Sequence, residues 1–375
     1  MEQSVLLGIL IAFAVALMVT ALIHPRVANF AKKRNIVDNP NARKLQRDPV
    51  PVMGGVAVFF GLVSGLCISG IFVNINELLP IVVAMSVMLC VGVIDDVSEL
   101  SPWLRFVIEI AVVIMLVFTT NISLNSLQGL WGFYDLPMWL SVPLTVFAVV
   151  GMINAINLID GVDGLSSGFC MIASIAFGTL FLMSNNNDMA VLAAITLGSL
   201  LPFFWHNVFG DKLKMFIGDG GSLMMGVVMS AYVVAVISAR GEAFDALPEG
   251  MGLVAFSMAV MAVPVFDTLR VMTMRILRRT SPFRPDKTHL HHLFIDLGFS
   301  HIATTCSVLS LNLLVMLAWW ISYKVGASVD VQFYVVISAS ILVTAMFYKV
   351  MRMQMACNGV LARLMRKLGA YTHCK

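Results

Sequence analysis

Charge is the scarcest property of this 375-residue chain. Asp, Glu, Lys and Arg make up 12% of it, against 59% hydrophobic residues. With a mean hydropathy of +0.91, it has far too little polar surface for a soluble domain and must lie mostly in lipid. Cysteine is scarce too. Cys67, Cys90, Cys170 and Cys306 fall within apolar stretches, Cys357 and Cys374 near the C-terminus, and no CxxC pair occurs. That excludes a disulfide framework and a thiolate zinc site. A formal net charge of only +3 gives no reason to expect nucleic acid. The expected polyanionic neighbours are membrane lipid head groups and phosphorylated substrates. No internal repeat stands out, and no polar linker separates soluble domains.

What is present is a succession of apolar runs. A helix needs about 20 apolar residues to cross the hydrocarbon layer. Eleven such stretches can be placed near 4–23, 53–73, 78–94, 104–120, 138–156, 164–184, 189–206, 221–239, 250–268, 302–322 and 331–348. Backbone hydrogen bonding in lipid makes an all-α, polytopic helical bundle the expected architecture. If the spans alternate, the loops 24–52, 95–103, 157–163, 207–220 and 269–301 share a side with the tail 349–375. Every Lys and Arg except Arg240 and Lys324 then lies on that side or, like Arg105, at the inner edge of a span. The positive-inside rule assigns that side to the cytoplasm, with the N-terminus outside and the C-terminus inside. Met1–Ile23 begins with Glu2 rather than a basic cluster, so it reads as a retained span rather than a signal peptide. The organisation expected is one integral membrane domain over 1–348. The stretch 349–375, with Arg352, Arg363, Arg366 and Lys367 among Met, Val and Leu, reads as a basic amphipathic cytoplasmic tail.

The acidic residues gather where spans end on the basic side. Asp95 and Asp96 close the third span; adjacent carboxylates repel, so a cation or proton is needed to hold both near a membrane surface. The next inner loop runs from Asn154 through Asn157, Asp160 and Asp163 to Gly164 and Leu165, with amides and carboxylates three apart along one side of a helix end. A third cluster, Phe216-Ile217-Gly218-Asp219-Gly220-Gly221-Ser222, opens the eighth span. A glycine-rich turn before a helix offers free N–H groups to phosphate, and its Asp suits a divalent metal. Each cluster alone is weak, and solvated loop carboxylates would explain any one of them. Three on one face carry more weight, and hard oxygen ligands without cysteine point to Mg²⁺ or Mn²⁺.

Basic residues complete the pattern. The inner loop after the ninth span holds Arg275, Arg278, Arg279, Arg284 and Lys287, followed by His289-Leu290-His291-His292. The positive-inside rule explains cations here, and three histidines could bind a transition metal. Their place beside the cations favours phosphate, for which Arg supplies forked donors. Arg43, Lys44 and Arg47 precede Pro49-Val50-Pro51-Val52-Met53-Gly54-Gly55 and could meet a lipid phosphate.

Together, DD at Asp95 and Asp96, NxxNxxDGxDGL from Asn154 to Leu165, FxGDxGS from Phe216 to Ser222 and HxHH from His289 to His292 resemble the polyprenyl-phosphate N-acetylhexosamine-1-phosphate transferase family. The motifs occur in family order across most of the chain. The resemblance implies transfer of a sugar phosphate from a UDP-linked amino sugar to undecaprenyl phosphate, with Mg²⁺ as cofactor (Mn²⁺ as a substitute) and UMP as by-product. The single residue between the first two histidines looks like the N-acetylglucosamine-1-phosphate branch, which implies UDP-N-acetylglucosamine as donor. The phospho-N-acetylmuramoyl-pentapeptide branch of peptidoglycan synthesis is the alternative, and it tends to show three consecutive histidines. The resemblance further implies a bacterial inner membrane enzyme with a cytoplasmic site, at the first membrane step of a surface polysaccharide such as lipopolysaccharide O-antigen, and a homodimer.

By the same resemblance Asp219 is the metal ligand, with Asp95 and Asp96 as catalytic residues that complete the metal site or orient the lipid phosphate; an alternative makes Asp95 the base that removes the phosphate's last proton. Asp160 and Asp163 hold the nucleotide or polarise the site. Asn157, Asn207 and Phe216 contact uridine, Gly218 lets backbone approach, and Lys212, Lys214, Arg275, His289, His291 and His292 face the diphosphate, with Lys44 and Arg47 toward the lipid phosphate. One departure stands out: some members carry Lys where this chain has Glu99, and Arg105 is the candidate substitute. Two other classes compete. A secondary transporter would place its acidic residues at the bilayer midplane and show inverted repeats. A non-catalytic scaffold would not need an intact acidic set.

Overall fold

The structure, a computed structural model, describes residues 3–38, 49–98, 100–120, 123–238, 247–282 and 287–372. They form two compact units. The first comprises Met1–Asn157 and Ser166–Glu249, the second Leu158–Leu165 and Gly250–Lys375.

The first unit is built from helices α1 (Gln3–Lys33), α2 (Gly54–Ser69), α3 (Leu79–Ser98), α4 (Pro102–Thr120), α5 (Met138–Ile159), α6 (Leu165–Met183), α7 (Asn187–Phe209) and α8 (Gly218–Ile237). Its centre is α8, an apolar helix buried along almost its whole length. Apolar helices gain little from burial against one another in lipid, so close packing of small residues must draw them together. The contacts are of that kind. Gly55 of α2 lies against Gly221 of α8, and Gly92 of α3 against Gly220, each so close that a Cβ would overlap backbone. Gly61 of α2 sits against Thr20 and Ala16 of α1 in the same way. Two-residue strands β1 (Val37–Asp38) and β2 (Val50–Pro51) pair antiparallel before α2. The chain after β2 clasps the start of α8: the Phe216 N–H donates to Pro51 O, and the N–H groups of Gly54 and Gly55 donate to the carbonyls of Phe216 and Ile217 at 2.8–2.9 Å.

The second unit contains α9 (Leu253–Val260), α10 (Ala262–Leu277), α11 (Leu290–Asp296), α12 (His301–Lys324), α13 (Val329–Ile341), α14 (Phe347–Ala356) and α15 (Val360–Tyr371). A π-helical turn over Leu342–Met346 joins α13 to α14. Between α9 and α10 the axis bends by 74°. Pro264 accounts for the break: it has no N–H for the carbonyl four residues back, Val260, and its ring crowds that oxygen. Asn312 of α12 repairs it, donating from Nδ2 to Val260 O at 3.0 Å and accepting the Val263 N–H at 2.9 Å.

Ten of the eleven expected stretches have a helix of spanning length or the bent pair at their positions, but the count of eleven is not reached on length. Among the described residues nine helices are long and apolar enough to cross a membrane, ten with the bent pair, and α2 has only 16 residues. The stretch 349–375 carries the end of α14 and all of α15. In α15, Val360, Leu361, Leu364, Leu368 and Tyr371 are exposed.

Candidate functional site

The first unit gathers carboxyl groups around the N-terminus of α8. Gly218 has φ +74°, a left-handed conformation, and a Cβ there would meet Val52 O and come within 2.6 Å of Asp96 Oδ2. Glycine is therefore required for this turn. The turn aims the first amides of α8 at Asp96: the Asp219 N–H donates to Oδ1 at 3.1 Å and the Gly220 N–H to Oδ2 at 3.4 Å. Asp96 caps α8 from another helix, at the positive end of its dipole.

Asp219 stands on that first turn. Its Oδ1 accepts from Asn157 Nδ2 at 2.8 Å, its Oδ2 lies 3.8 Å from Arg105 Nη1, and its carboxyl comes within hydrogen-bonding reach of Asp95. Asn157 also donates to Ser222 Oγ at 2.9 Å, which fixes the amide's orientation. Asp95 accepts the Leu100 N–H at 2.6 Å and pairs with Arg105 at 3.2 Å. Arg105 Nε lies 3.5 Å from Glu109 Oε1, and Glu109 Oε2 accepts from Asn154 Nδ2 at 2.5 Å. Three carboxyl groups, Asp95, Glu109 and Asp219, thus share one guanidinium, and a fourth, Asp96, stands beside them on the amides of Asp219 and Gly220. With all four ionised the cluster carries a formal excess of three negative charges, which a cation would relieve.

The residues fit a hard divalent cation in chemistry, since every donor is a carboxylate or amide oxygen. Asp219 is the accessible member, its side chain 39% exposed against 14% for Asp95 and 1% for Glu109. Among the described residues no three His, Cys, Asp or Glu groups converge as a ready metal site. The cluster is therefore assembled in charge ahead of coordination geometry.

The second unit holds a different constellation. Asp163, on the turn preceding α6, pairs through Oδ2 with His301 Nδ1 at 2.8 Å, and its carbonyl accepts from Thr305 Oγ1 at 2.7 Å. Asp160 lies half-buried in the same turn. The Gly161 Cα faces His291, and a Cβ there would come within 2.6 Å of its Nε2. The His289 and His291 rings lie parallel within 3°, centroids 5.8 Å apart, and the His292 ring is 4.2 Å from that of His291. His291 is buried, and burial, followed by the neighbouring His292 and His289 rings, holds its imidazole well below the ordinary histidine pKa. His289 Nδ1 lies 3.0 Å from Asp267 Oδ2.

Other expected site residues lie elsewhere. Asn207 is buried and donates to Met215 O at 2.9 Å, holding the chain ahead of Phe216. Phe216 is half-buried, Lys214 half-buried and Lys212 exposed. Arg275 is buried and donates to Pro282 O at 2.5 Å, closing the turn after α10. Lys44 and Arg47 lie outside the described residues, as do Arg43, Glu99 and Arg284.

Four partners escaped the sequence reading: Glu109, Asp267, Arg270 and His301. Glu109 and Asp267 carried a usable signal, being carboxylates inside apolar runs with an Arg three or four residues away. His301 carried none, since its partner is 138 positions away.

Comparison with known proteins points to one family. The model of glycosyl transferase family 4 matches residues 78–237, the stretch that contains every member of the carboxyl cluster. A Bacillus subtilis protein described as a probable undecaprenyl-phosphate N-acetylglucosaminyl 1-phosphate transferase is 33% identical over 299 residues, 79% of this chain and 80% of that one. Undecaprenyl-phosphate alpha-N-acetylglucosaminyl 1-phosphate transferases of Escherichia coli K12 and Yersinia pestis are 28% and 29% identical, with 72% of each chain covered.

Proposed function

The chain belongs to the polyprenyl-phosphate N-acetylhexosamine-1-phosphate transferases of glycosyl transferase family 4, in the N-acetylglucosaminyl branch, and from that premise we propose the following reaction. The chain transfers N-acetylglucosamine-1-phosphate, or a related N-acetylhexosamine-1-phosphate, from the UDP-sugar to undecaprenyl phosphate. An oxygen of the lipid phosphate attacks the sugar-bearing phosphorus, the bond to the bridging oxygen breaks, and UMP leaves with that oxygen. The lipid diphosphate sugar stays in the membrane. The reaction would take place at the cytoplasmic face of a bacterial inner membrane, as the first membrane step of a surface polysaccharide.

The observation that carries this reading is the under-compensated carboxyl cluster around Asp219. Transfer between two anionic partners is limited by charge, so the protein's task is to cancel and position charge rather than to make bonds. Asp219 and Asp95 are the residues that would hold Mg²⁺, and Mn²⁺ would serve in its place. When bound, the ion would offset charge on the phosphoryl oxygens and orient the diphosphate. Asn157 fixes the Asp219 carboxylate, Arg105 holds Asp95 and Asp219 toward one point, and Asp96 anchors the helix that carries Asp219. Positioning of this kind supplies much of the remaining rate. No strong base is required, because a phosphate monoester with a second pKa of about 6 is already mostly ionised near neutral pH.

The test is UMP release by the detergent-purified chain given UDP-N-acetylglucosamine, undecaprenyl phosphate and Mg²⁺, with each omitted in turn. Release that needs all three supports the reading. Release with another UDP-amino-sugar changes only the donor, and silence with every donor overturns it.

A further inference from the structure

Asp267 belongs to none of the motifs, yet it is the most completely engaged carboxylate of the second unit among the described residues. It sits on α10, 1% exposed. Its Oδ1 accepts from Arg270 Nη2 at 2.7 Å and Nε at 3.2 Å. Its Oδ2 accepts the backbone N–H of Leu290 at 3.1 Å and lies 3.0 Å from His289 Nδ1. Arg270 is itself held, donating from Nη2 to Thr288 O at 2.6 Å with its guanidinium 3.9 Å from the Tyr348 ring centre. A carboxylate oxygen can only accept, so the hydrogen at His289 must sit on Nδ1. That leaves Nε2 as the ring atom able to meet a ligand.

His289 Nε2 is buried and has no hydrogen-bond partner among the described residues. The residue itself is 4% exposed. A ring nitrogen oriented by a four-donor carboxylate and then left without a partner is costly in a packed structure unless something else occupies it. A carboxylate behind one imidazole nitrogen is also the usual device for fixing the tautomer and raising the usefulness of the other.

We propose that Asp267 is a positioning residue: it fixes His289 in the Nδ1–H form and so directs Nε2 at a phosphoryl oxygen of the substrate. A substrate phosphate that arrives as P–OH can donate its hydrogen to the bare Nε2, which accepts it. Arg270 and the Leu290 N–H prevent the carboxylate from turning away. The assignment of the ligand rests on the transferase reading above; the tautomer does not.

Two measurements test it on the full chain. The first is UMP release by wild type, Asp267→Asn, His289→Gln and the double variant, with melting temperatures for each. Asp267→Asn is expected to lower kcat by about 10–100-fold while KM for the UDP-sugar moves much less, and to add nothing in the His289→Gln background. A full further loss in the double variant, or a loss that simply follows the melting temperature, would overturn the proposal. The second is nitrogen NMR of ¹⁵N-histidine-labelled protein in lipid nanodiscs, with the His289 signals found by difference from His289→Gln. In wild type without substrate the neutral ring is expected to be the Nδ1–H tautomer, with Nε2 bare. An Nε2–H tautomer would refute the positioning role even if Asp267→Asn fails to fold. Silence of wild type in the UMP assay alongside the expected tautomer would instead remove the transferase reading and leave the pair standing.

Discussion

Asp219 and Asp267 are the same side chain on two helices, and the two units treat them in opposite ways. In the second unit Asp267 receives two guanidinium hydrogens, one backbone N–H and one imidazole, and almost none of it reaches solvent. In the first unit Asp219 receives one amide, shares a single guanidinium with Asp95 and Glu109, and keeps 39% of its side chain exposed. A carboxylate whose oxygens are all engaged is fixed and can act only through what it holds. One left short of positive charge, among others equally short, attracts a cation. Removing Asp219 should therefore erase function without harming the fold, while changes around Asp267 should act through His289.

The largest effect expected is at Asp219. Replacing it with Asn keeps the size and the contact to Asn157 but removes the charge, and UMP release should fall on the order of 10²–10³-fold. The melting temperature should stay level or rise, because the variant relieves repulsion with Asp95. Near-normal turnover would show that the exposed carboxylate is not the one that recruits the cation.

Arg105→Met comes next. It leaves Asp95, Glu109 and Asp219 without their guanidinium, and breaking a partly buried ion pair of this kind costs about 2–4 kcal/mol. The melting temperature should drop, and added Mg²⁺ should restore more of it than it adds to wild type. Equal Mg²⁺ responses would mean that the cluster does not bind the ion.

The spans were legible in the sequence because apolar length is a local property, and the helices follow the expected stretches closely. The gathering of Asp95, Asp96, Asn157 and Asp219 was legible too, since all stand at helix ends within short motifs. What Asp96 does was not: its role as a cap for α8 depends on Gly92 lying against Gly220, a contact across more than 120 positions. Asn207 has a contact that was hidden for a related reason: its amide donates to Met215 O and so shapes the loop ahead of Phe216. The break after α9 had a visible cause in Pro264, while the residue that makes it tolerable, Asn312, lies on another helix. Its loss gives the third prediction. Asn312→Leu should strand the Val263 N–H and the Val260 carbonyl in an apolar setting and lower stability by about 1–2 kcal/mol. An unchanged melting temperature would mean that the bend satisfies these groups in another way.

The smallest effect separates two histidines of one motif. His289 faces a carboxylate, while His291 is buried with histidine rings as its nearest titratable neighbours and only a lesser contribution from Asp267, so its folded pKa is lowered. Above the unfolded value of about 6.5 the ring is neutral in both states and adds no pH dependence. As pH falls below that value the unfolded chain takes up a proton that the folded chain refuses, so stability declines at up to roughly 1.4 kcal/mol per pH unit until the folded pKa is reached. His291→Asn should remove this part of the acid slope, a difference of roughly 1 kcal/mol between pH 7 and 5.5, visible in melting temperatures across that range. Equal acid slopes in the two proteins would mean that His291 takes up its proton while folded.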